Sequence, residues 1–352
     1  MQRIPTAKPT GRYLEESMKA DHLTYTLAVT NSCPLKCSHC FMGYHGGGDA
    51  ANVTMSIGEI ETILRGIRPL SKRLSLNWTG GEILTAGSQY MDALTSLSCF
   101  RDKGVKNGLL SSLPVDLDSR WIEILERFDS VMISLDSYHR ERLGKEMKRS
   151  LRNMADLNVD EKIAAYTPSS DDKEVDLEDF YLMATDGGAS IFHLGFLYSQ
   201  NPLPEDFYIR AIDKFLSLQE KFKGPRLGFL SRKSSSLNFR ASVGFRAYDC
   251  FASGGHFSPE GVFTSCYILY RHLKGLGVPW MKTHQFLEGK CSITSMNERF
   301  IRDFFIRGRP GCLDCEYYPL CMGGCPFFSL FGEGGKDIYC SVYRKIFEIL
   351  TS

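Results

Sequence analysis

The sequence has no apolar run approaching the ~18 residues that a membrane-spanning helix needs, and its start, Met1 to His22, lacks the hydrophobic core of a secretory signal. Net charge is also nearly absent, because 42 basic and 41 acidic residues leave a formal +1, well mixed along the chain. That removes the basic footprint of a nucleic-acid-binding protein. The expectation is a cytoplasmic protein with neither membrane nor nucleic acid among its partners. Cysteine is missing from the long interval between Cys99 and Cys250, although the chain carries 12. All but Cys99 fall in two blocks, one near the N-terminus and one in the last third. A disulfide scaffold would need a short secreted chain, and 352 residues with 43% hydrophobic content are enough for a substantial core and two domains. Metal clusters explain the distribution better.

The first block is Cys33-Pro34-Leu35-Lys36-Cys37-Ser38-His39-Cys40. Three thiols in a short irregular loop can converge on one inorganic core, but three is an incomplete set. Iron–sulfur cubanes take four cysteines, and a structural zinc site also closes at four ligands. The open position is either filled by His39 or His45, as in a zinc knuckle, or left for an exogenous ligand. Gly46-Gly47-Gly48 then gives a flexible segment suited to closing over something.

Around this loop the chain alternates strands and helices. Leu23 to Thr30 reads as a strand, Ser56 with Glu59 as a capping box opening a helix to about Arg68, and Leu74 to Trp78 as a second strand. Helices follow around Tyr90 to Lys103, Asp116 to Arg127, a basic stretch ending near Leu157, and Leu177 to Ala184. Strands are expected at Val105 to Leu110, Val131 to Asp136, Lys162 to Thr167 and Ser190 to Leu197. Six β-α units fit a parallel α/β sheet. In a β/α barrel the functional groups gather at the carboxyl ends of the strands. The three-thiol loop ends the first strand, Gly80-Gly81-Glu82 ends the second, and Ser134 with Asp136 ends the fourth, so unrelated polar features land on one rim. Cys99, on the apolar face of a helix, reads as core filler.

On these motifs the sequence resembles the radical S-adenosylmethionine (SAM) superfamily, whose signature is a Cys-x3-Cys-x2-Cys loop after the first strand of a partial (β/α)6 TIM-like barrel. The resemblance implies that Cys33, Cys37 and Cys40 hold a [4Fe–4S] cluster whose open iron binds SAM, with reductive cleavage giving a 5′-deoxyadenosyl radical that abstracts hydrogen. It places Gly80, Gly81 and Glu82 on the SAM amino group, Ser134 on the ribose, His39 beside the adenine in the aromatic position before the third cysteine, and Arg140 or Arg142 near the carboxylate. Ile83 stands where a proline often follows the glutamate.

The last third carries Cys250, Cys266, Cys312, Cys315, Cys321, Cys325 and Cys340, with Gly261 in the first interval and only one Cys-x2-Cys pair, where two zinc ribbons would need two. This pattern resembles the SPASM extension of radical SAM enzymes, a small cysteine-rich domain with two auxiliary clusters. The resemblance implies one auxiliary [4Fe–4S] cluster on Cys312, Cys315, Cys321 and Cys340 and another on Cys250, Cys266 and Cys325, completed by Cys291 or left open, making three clusters with the SAM-binding one. The implied layout is an N-terminal extension 1–22, a barrel 23–197, a bridge 198–248 with a helix from Asp206 to Phe222, a SPASM domain 249–340 and a C-terminal helix 341–352.

The expected activity is that of a ribosomal peptide maturase, oxidising or cross-linking a peptide or protein side chain with an external flavodoxin- or ferredoxin-type electron donor. The extension of about twenty residues is too short for a winged-helix leader-binding domain, so a separate leader-binding protein would deliver the peptide. Alternatives are a small-molecule dehydrogenase of the aminosugar type and a non-catalytic electron carrier. Sulfatase-maturing relatives carry an aspartate directly after the second SPASM cysteine; here that position is Tyr267. Tyr267 and His256, with Tyr248 and Asp249 near them, are the candidate acid/base groups.

Overall fold

The computed structural model describes residues 22–35, 37, 40, 42, 52–134, 144–168, 177–198, 202–228, 254–264, 266–268, 281–288, 312, 314–317, 321, 324–329, 331–333 and 336–351. His39, His45, Gly46 to Gly48, Asp136, Arg140, Arg142, Tyr248, Asp249, Cys250 and Cys291 lie outside them.

Strand β1 (His22–Ala28) is followed by α1 (Ile57–Ile67), β2 (Arg73–Thr79), α2 (Ser88–Thr95), β3 (Val105–Ser111), α3 (Ser119–Leu125), β4 (Ser130–Ser134), α4 (Gly144–Asp156), β5 (Glu161–Tyr166), α5 (Leu177–Asp186) and β6 (Ile191–Leu194). Then come α6 (Glu205–Phe222), β7 (Arg226–Leu227), β8 (Gly254–Phe257), β9 (Val262–Thr264), β10 (Met281–Lys282), α7 (Thr283–Leu287), α8 (Pro326–Ser329) and α9 (Cys340–Thr351). The strands form one sheet in the order β10-β9-β8-β1-β2-β3-β4-β5-β6-β7, parallel from β8 through β7.

Helix α1 starts as its sequence requires. The Ser56 hydroxyl accepts from the Glu59 amide and the Glu59 carboxylate accepts from the Ser56 amide at 2.7 Å, which satisfies donors that the first turn would leave unpaired. Helix α2 is shorter than the expected Tyr90 to Lys103 segment. The Ser96 hydroxyl donates to the Asp92 carbonyl at 2.7 Å and Leu97 turns extended, so the helix stops before a 3-10 turn at Ser98–Phe100. Cys99 is buried in that turn, as core filler should be, and its carbonyl accepts from Asn107 Nδ2 at 3.1 Å.

Strand faces alternate, and the alternation is functionally important. Tyr25, Leu27, Leu76, Trp78, Leu109, Val131 and Ile133 are buried on the helix-covered face. Thr26, Asn77, Gly108 and Ser130 are aligned across four strands on the other face and remain half-buried. A flat parallel sheet covered by helices on both sides would read as continuous apolar runs. One polar, partly open face is what the interior of a partial barrel presents.

The segment expected as a bridge contributes α6 and β7, which continue the sheet past β6. On the other side β8 joins β1 closely enough that a Cβ on Gly254 would lie 1.6 Å from the Thr24 carbonyl oxygen, so only glycine fits there. Helix α9 packs on α6 through an aromatic cluster that includes Phe196, Tyr208, Phe328, Tyr339 and Tyr343. Tyr339 donates its hydroxyl to the Leu203 carbonyl at 2.9 Å, and Lys345 pairs with Asp213. Among the described residues no helix is long and apolar enough to cross a membrane.

Candidate active site

The first cysteine loop and the Gly-Gly-Glu turn are stitched together by backbone hydrogen bonds that extend the β1–β2 pairing beyond the strands. Val29 donates to Thr79 O at 2.8 Å, Gly81 to Thr30 O at 2.7 Å and Glu82 to Ser32 O at 2.8 Å. Asn31 pins the far end of the long loop, its amide donating to Val53 O at 3.1 Å and its side-chain oxygen accepting from the Val53 amide at 2.7 Å. The paired glycines are required by this approach. A Cβ on Gly80 would lie 2.5 Å from Thr30 O, and one on Gly81 would lie 2.4 Å from Ser32 O and 2.7 Å from Cys33 Cβ.

Cys33, Cys37 and Cys40 are half-buried and outside any disulfide. Burial pushes the Cys33 thiol up to about 11, a backbone hydrogen bond at Leu35 opposes this, and the Glu82 and Cys40 charges add to the rise. A bare thiolate is thus disfavoured at Cys33, whereas a bound cation would stabilise it. The loop end is seated by Met42, which is buried with Ala28, Val262 and Tyr267, with Cys40 packed against them.

Glu82 is 2% exposed and its carboxylate accepts four hydrogen bonds. Oε1 accepts from Ser111 Oγ at 2.6 Å and the Leu84 amide at 3.2 Å, while Oε2 accepts from the Ser112 amide at 2.8 Å and Ser112 Oγ at 2.6 Å. No cation pairs with it among the described residues. Buried carboxylates normally face a cation as well as hydrogen-bond donors. This one lies beside the cysteine loop at the carboxyl ends of the strands, so the donor set fits a ligand carrying a positive amino group there. Ser134 ends β4 in register with Ala165 of β5, half-buried on the interior face.

Residues 27–161 match the radical SAM superfamily model. Those residues form a radical SAM domain. The chain is similar in fold to native anSMEcpe with bound AdoMet, at a TM-score of 0.65 and 16% identity over 93% of this chain and 96% of that one. It is equally similar to native anSMEcpe with bound AdoMet and Kp18Cys peptide, at a TM-score of 0.65 and 15% identity over the same shares. The likeness runs past residue 161, into the cysteine-bearing C-terminal region. The sequence has no significant match among curated proteins. SAM and an iron–sulfur cluster are the cofactors of the superfamily, and the cysteine loop, the glycine cradle and the buried Glu82 carboxylate fit both.

In the C-terminal region the structure brings Cys312, Cys315 and Cys340 within electrostatic reach of one another, with Lys336 and Arg344 beside Cys340. Arg344 Nη2 donates to Cys315 Sγ at 3.6 Å. Cys321 and Cys325 lie near Tyr343. Cys266 follows β9, its amide donating to Thr264 Oγ1 at 3.2 Å. Among the described residues no three His, Cys, Asp or Glu side chains close on a single-ion site. Asp337, which the sequence did not single out, is buried and accepts from the Cys325 amide at 2.6 Å, the Tyr339 amide at 2.8 Å and the Tyr343 hydroxyl at 3.1 Å.

The two candidate acid/base residues are neighbours. His256 on β8 is in register with Thr26 on the interior face, and its ring centroid is 4.4 Å from that of Tyr267. Both are buried, and His256 Nε2 has no hydrogen-bond partner among the described residues. Burial holds the imidazole down at about 3, so it is neutral at physiological pH. Ser111 and Ser112 were also missed in the sequence. Their signal was their place at the carboxyl end of the third strand, the same rule that found Glu82 and Ser134.

Proposed function

We propose that this enzyme reductively cleaves SAM and removes hydrogen from a side chain of a peptide or protein substrate. The observation that carries the SAM part is Glu82, a buried carboxylate without a cation partner among the described residues, fixed beside the first cysteine loop. In this reading Cys33, Cys37 and Cys40 hold a [4Fe–4S] cluster, which when bound supplies the electron for cleavage. Glu82, with the Gly80 and Gly81 backbone, receives the amino group of SAM, Ser134 faces the ribose and His39 the adenine. The stitched backbone from Thr30 to Glu82 keeps the ligand loop and the amino-group site in fixed register.

The peptide part is supported by the fold shared with anSMEcpe, a protein whose structure with AdoMet also carries a peptide. Two auxiliary clusters, on Cys312, Cys315, Cys321 and Cys340 and on Cys250, Cys266 and Cys325, accompany this reading. The mutual proximity of Cys312, Cys315 and Cys340 supports the first. His256 and Tyr267 are the interior groups for handling a proton, a reduced flavodoxin or ferredoxin is the electron donor, and a separate leader-binding protein delivers the peptide.

The test is release of 5′-deoxyadenosine after anaerobic reconstitution with iron and sulfide, with SAM and a strong reductant, comparing wild type with Cys40→Ala. Release from wild type alone supports the reading. No release from an iron-loaded wild type rejects it.

A further inference from the structure

We infer that Ser111 and Ser112 are positioning residues that hold the Glu82 carboxylate for the amino group of the ligand. The inference rests on the reading that this carboxylate faces the SAM ammonium. Two of the four bonds to Glu82 come from backbone amides, of Leu84 and Ser112, which cannot turn away. The other two come from the Ser111 and Ser112 hydroxyls at 2.6 Å. These hydroxyls keep the buried anion hydrogen-bonded and fix its plane, so an approaching ammonium meets an aligned carboxylate with no movement of the main chain. Without either hydroxyl the carboxylate is free to turn away from the ligand.

The turn after β3 is built for this. Leu113 is fully buried yet has φ of 48°, a left-handed conformation that a branched side chain rarely adopts. Its carbonyl is held from α4 by Asn153 Nδ2 at 3.1 Å and by Ser150 Oγ, and Asn153 also donates to Val115 O at 2.7 Å. Its amide donates to Ser111 Oγ at 2.9 Å, so the hydroxyl that donates to Glu82 is itself oriented by the strained residue. Backbone strain costs free energy and persists where the surroundings enforce it, commonly at ligand sites. Here the strain places the amide and the hydroxyl of Ser112 together on one carboxylate oxygen.

The test uses the reconstituted holoenzyme and two probes. S-adenosylhomocysteine keeps the amino-acid end of SAM; 5′-methylthioadenosine lacks it. Ser112→Ala should weaken S-adenosylhomocysteine on the order of tenfold or more, the loss expected for a hydrogen bond to a charged group, and Ser111→Ala somewhat less. Binding of 5′-methylthioadenosine should stay within about twofold. Ser112→Thr, which keeps the hydroxyl, should recover most of the affinity. In a Glu82→Gln background Ser112→Ala should cause little further loss, because the serine acts through the carboxylate. Iron content and thermal midpoint, measured alongside, identify a variant that has not folded, and Ser112→Thr then carries the comparison against Ser111→Ala. Equal loss of both probes, full additivity with Glu82→Gln, or no loss in any folded serine variant overturns the inference. Failure of wild type to bind S-adenosylhomocysteine overturns the SAM reading beneath it.

Discussion

A methyl group added at Gly81 tests the coupling of the Gly-Gly-Glu turn to the cysteine loop. The Cβ of Gly81→Ala would stand 2.4 Å from Ser32 O and 2.7 Å from Cys33 Cβ, both well inside van der Waals contact. Neither obstacle is the free end of a flexible side chain, so the backbone must give, and relief requires the turn and the loop to separate. That motion stretches the bonds Gly81 makes to Thr30 O at 2.7 Å and Glu82 makes to Ser32 O at 2.8 Å. Overpacking of this kind costs about 1–3 kcal/mol, and here the displaced atoms belong to Cys33 itself. We expect Gly81→Ala to lose that amount in urea unfolding of the apo-protein and to retain much less iron and sulfide after reconstitution than wild type. Gly58→Ala provides the control, because a Cβ on Gly58 in α1 has nothing within 4 Å. Removing a glycine from that helix should stabilise by about 0.5–1 kcal/mol with iron content unchanged. A Gly81→Ala protein that loads iron as fully as wild type would show that turn and loop are independent, and would refute the coupling.

The neutral His256 imidazole gives a stability slope in acid. Its folded-state pKa, lowered to about 3, lies below its unfolded value, so this contribution is full above about pH 6.5 and is lost as pH falls toward 3, roughly 2 kcal/mol by pH 5. Urea midpoints of apo wild type and His256→Gln at pH 7.5 and pH 5.0 should differ in this slope, and parallel curves would contradict it. Tyr208→Phe removes the acceptor of the buried Leu197 amide, bonded at 2.8 Å, and should cost about 1–3 kcal/mol in equilibrium unfolding. Asp102→Asn weakens a partly exposed pair with Arg68 and should change the urea midpoint by less than about 1 kcal/mol equivalent. Asp337→Asn replaces one carboxylate oxygen with an amide nitrogen that cannot accept a hydrogen bond, so one of the groups the carboxylate serves, among them the Cys325 amide, loses its partner. A loss of about 1.5–3 kcal/mol is expected by chemical denaturation.

What was legible in the sequence was local. The Ser56–Glu59 capping box, the alternation of strands and helices, and the location of polar motifs at strand ends each depend on residues a few positions apart, and each has its counterpart in the structure. The parts that were not legible depend on distant pairing. Nothing near Gly254 announces that it lies against Thr24, since that contact joins segments from opposite thirds of the chain. The stop of α2 turned on hydroxyls at Thr95 and Ser96 bonding back to Asp92, a competition that apolar periodicity does not register. Ser111 and Ser112 carry no motif of their own, and their meaning comes from Glu82, some thirty positions earlier.

Two buried carboxylates share one logic in the two cysteine-bearing regions. Glu82 sits where its own amide is bonded to Ser32 beside Cys33, and Asp337 accepts the amide of Cys325 directly. In both places a glycine lets the chain come close: Gly81 against Ser32 and Cys33, and Gly324, whose Cβ would lie 2.5 Å from an Asp337 oxygen. A loop fixed in these ways, through the Ser32 carbonyl in one region and the Cys325 amide in the other, is shaped before any ligand arrives, so ligand binding need not offset the cost of ordering it. The difference between the two sites lies in their donors. Asp337 takes two backbone amides and a tyrosine hydroxyl within the apolar α6–α9 cluster, which suits a structural anchor. Glu82 takes two serine hydroxyls and has no cation among the described residues, which suits a carboxylate that must accept a charged partner and later let it go.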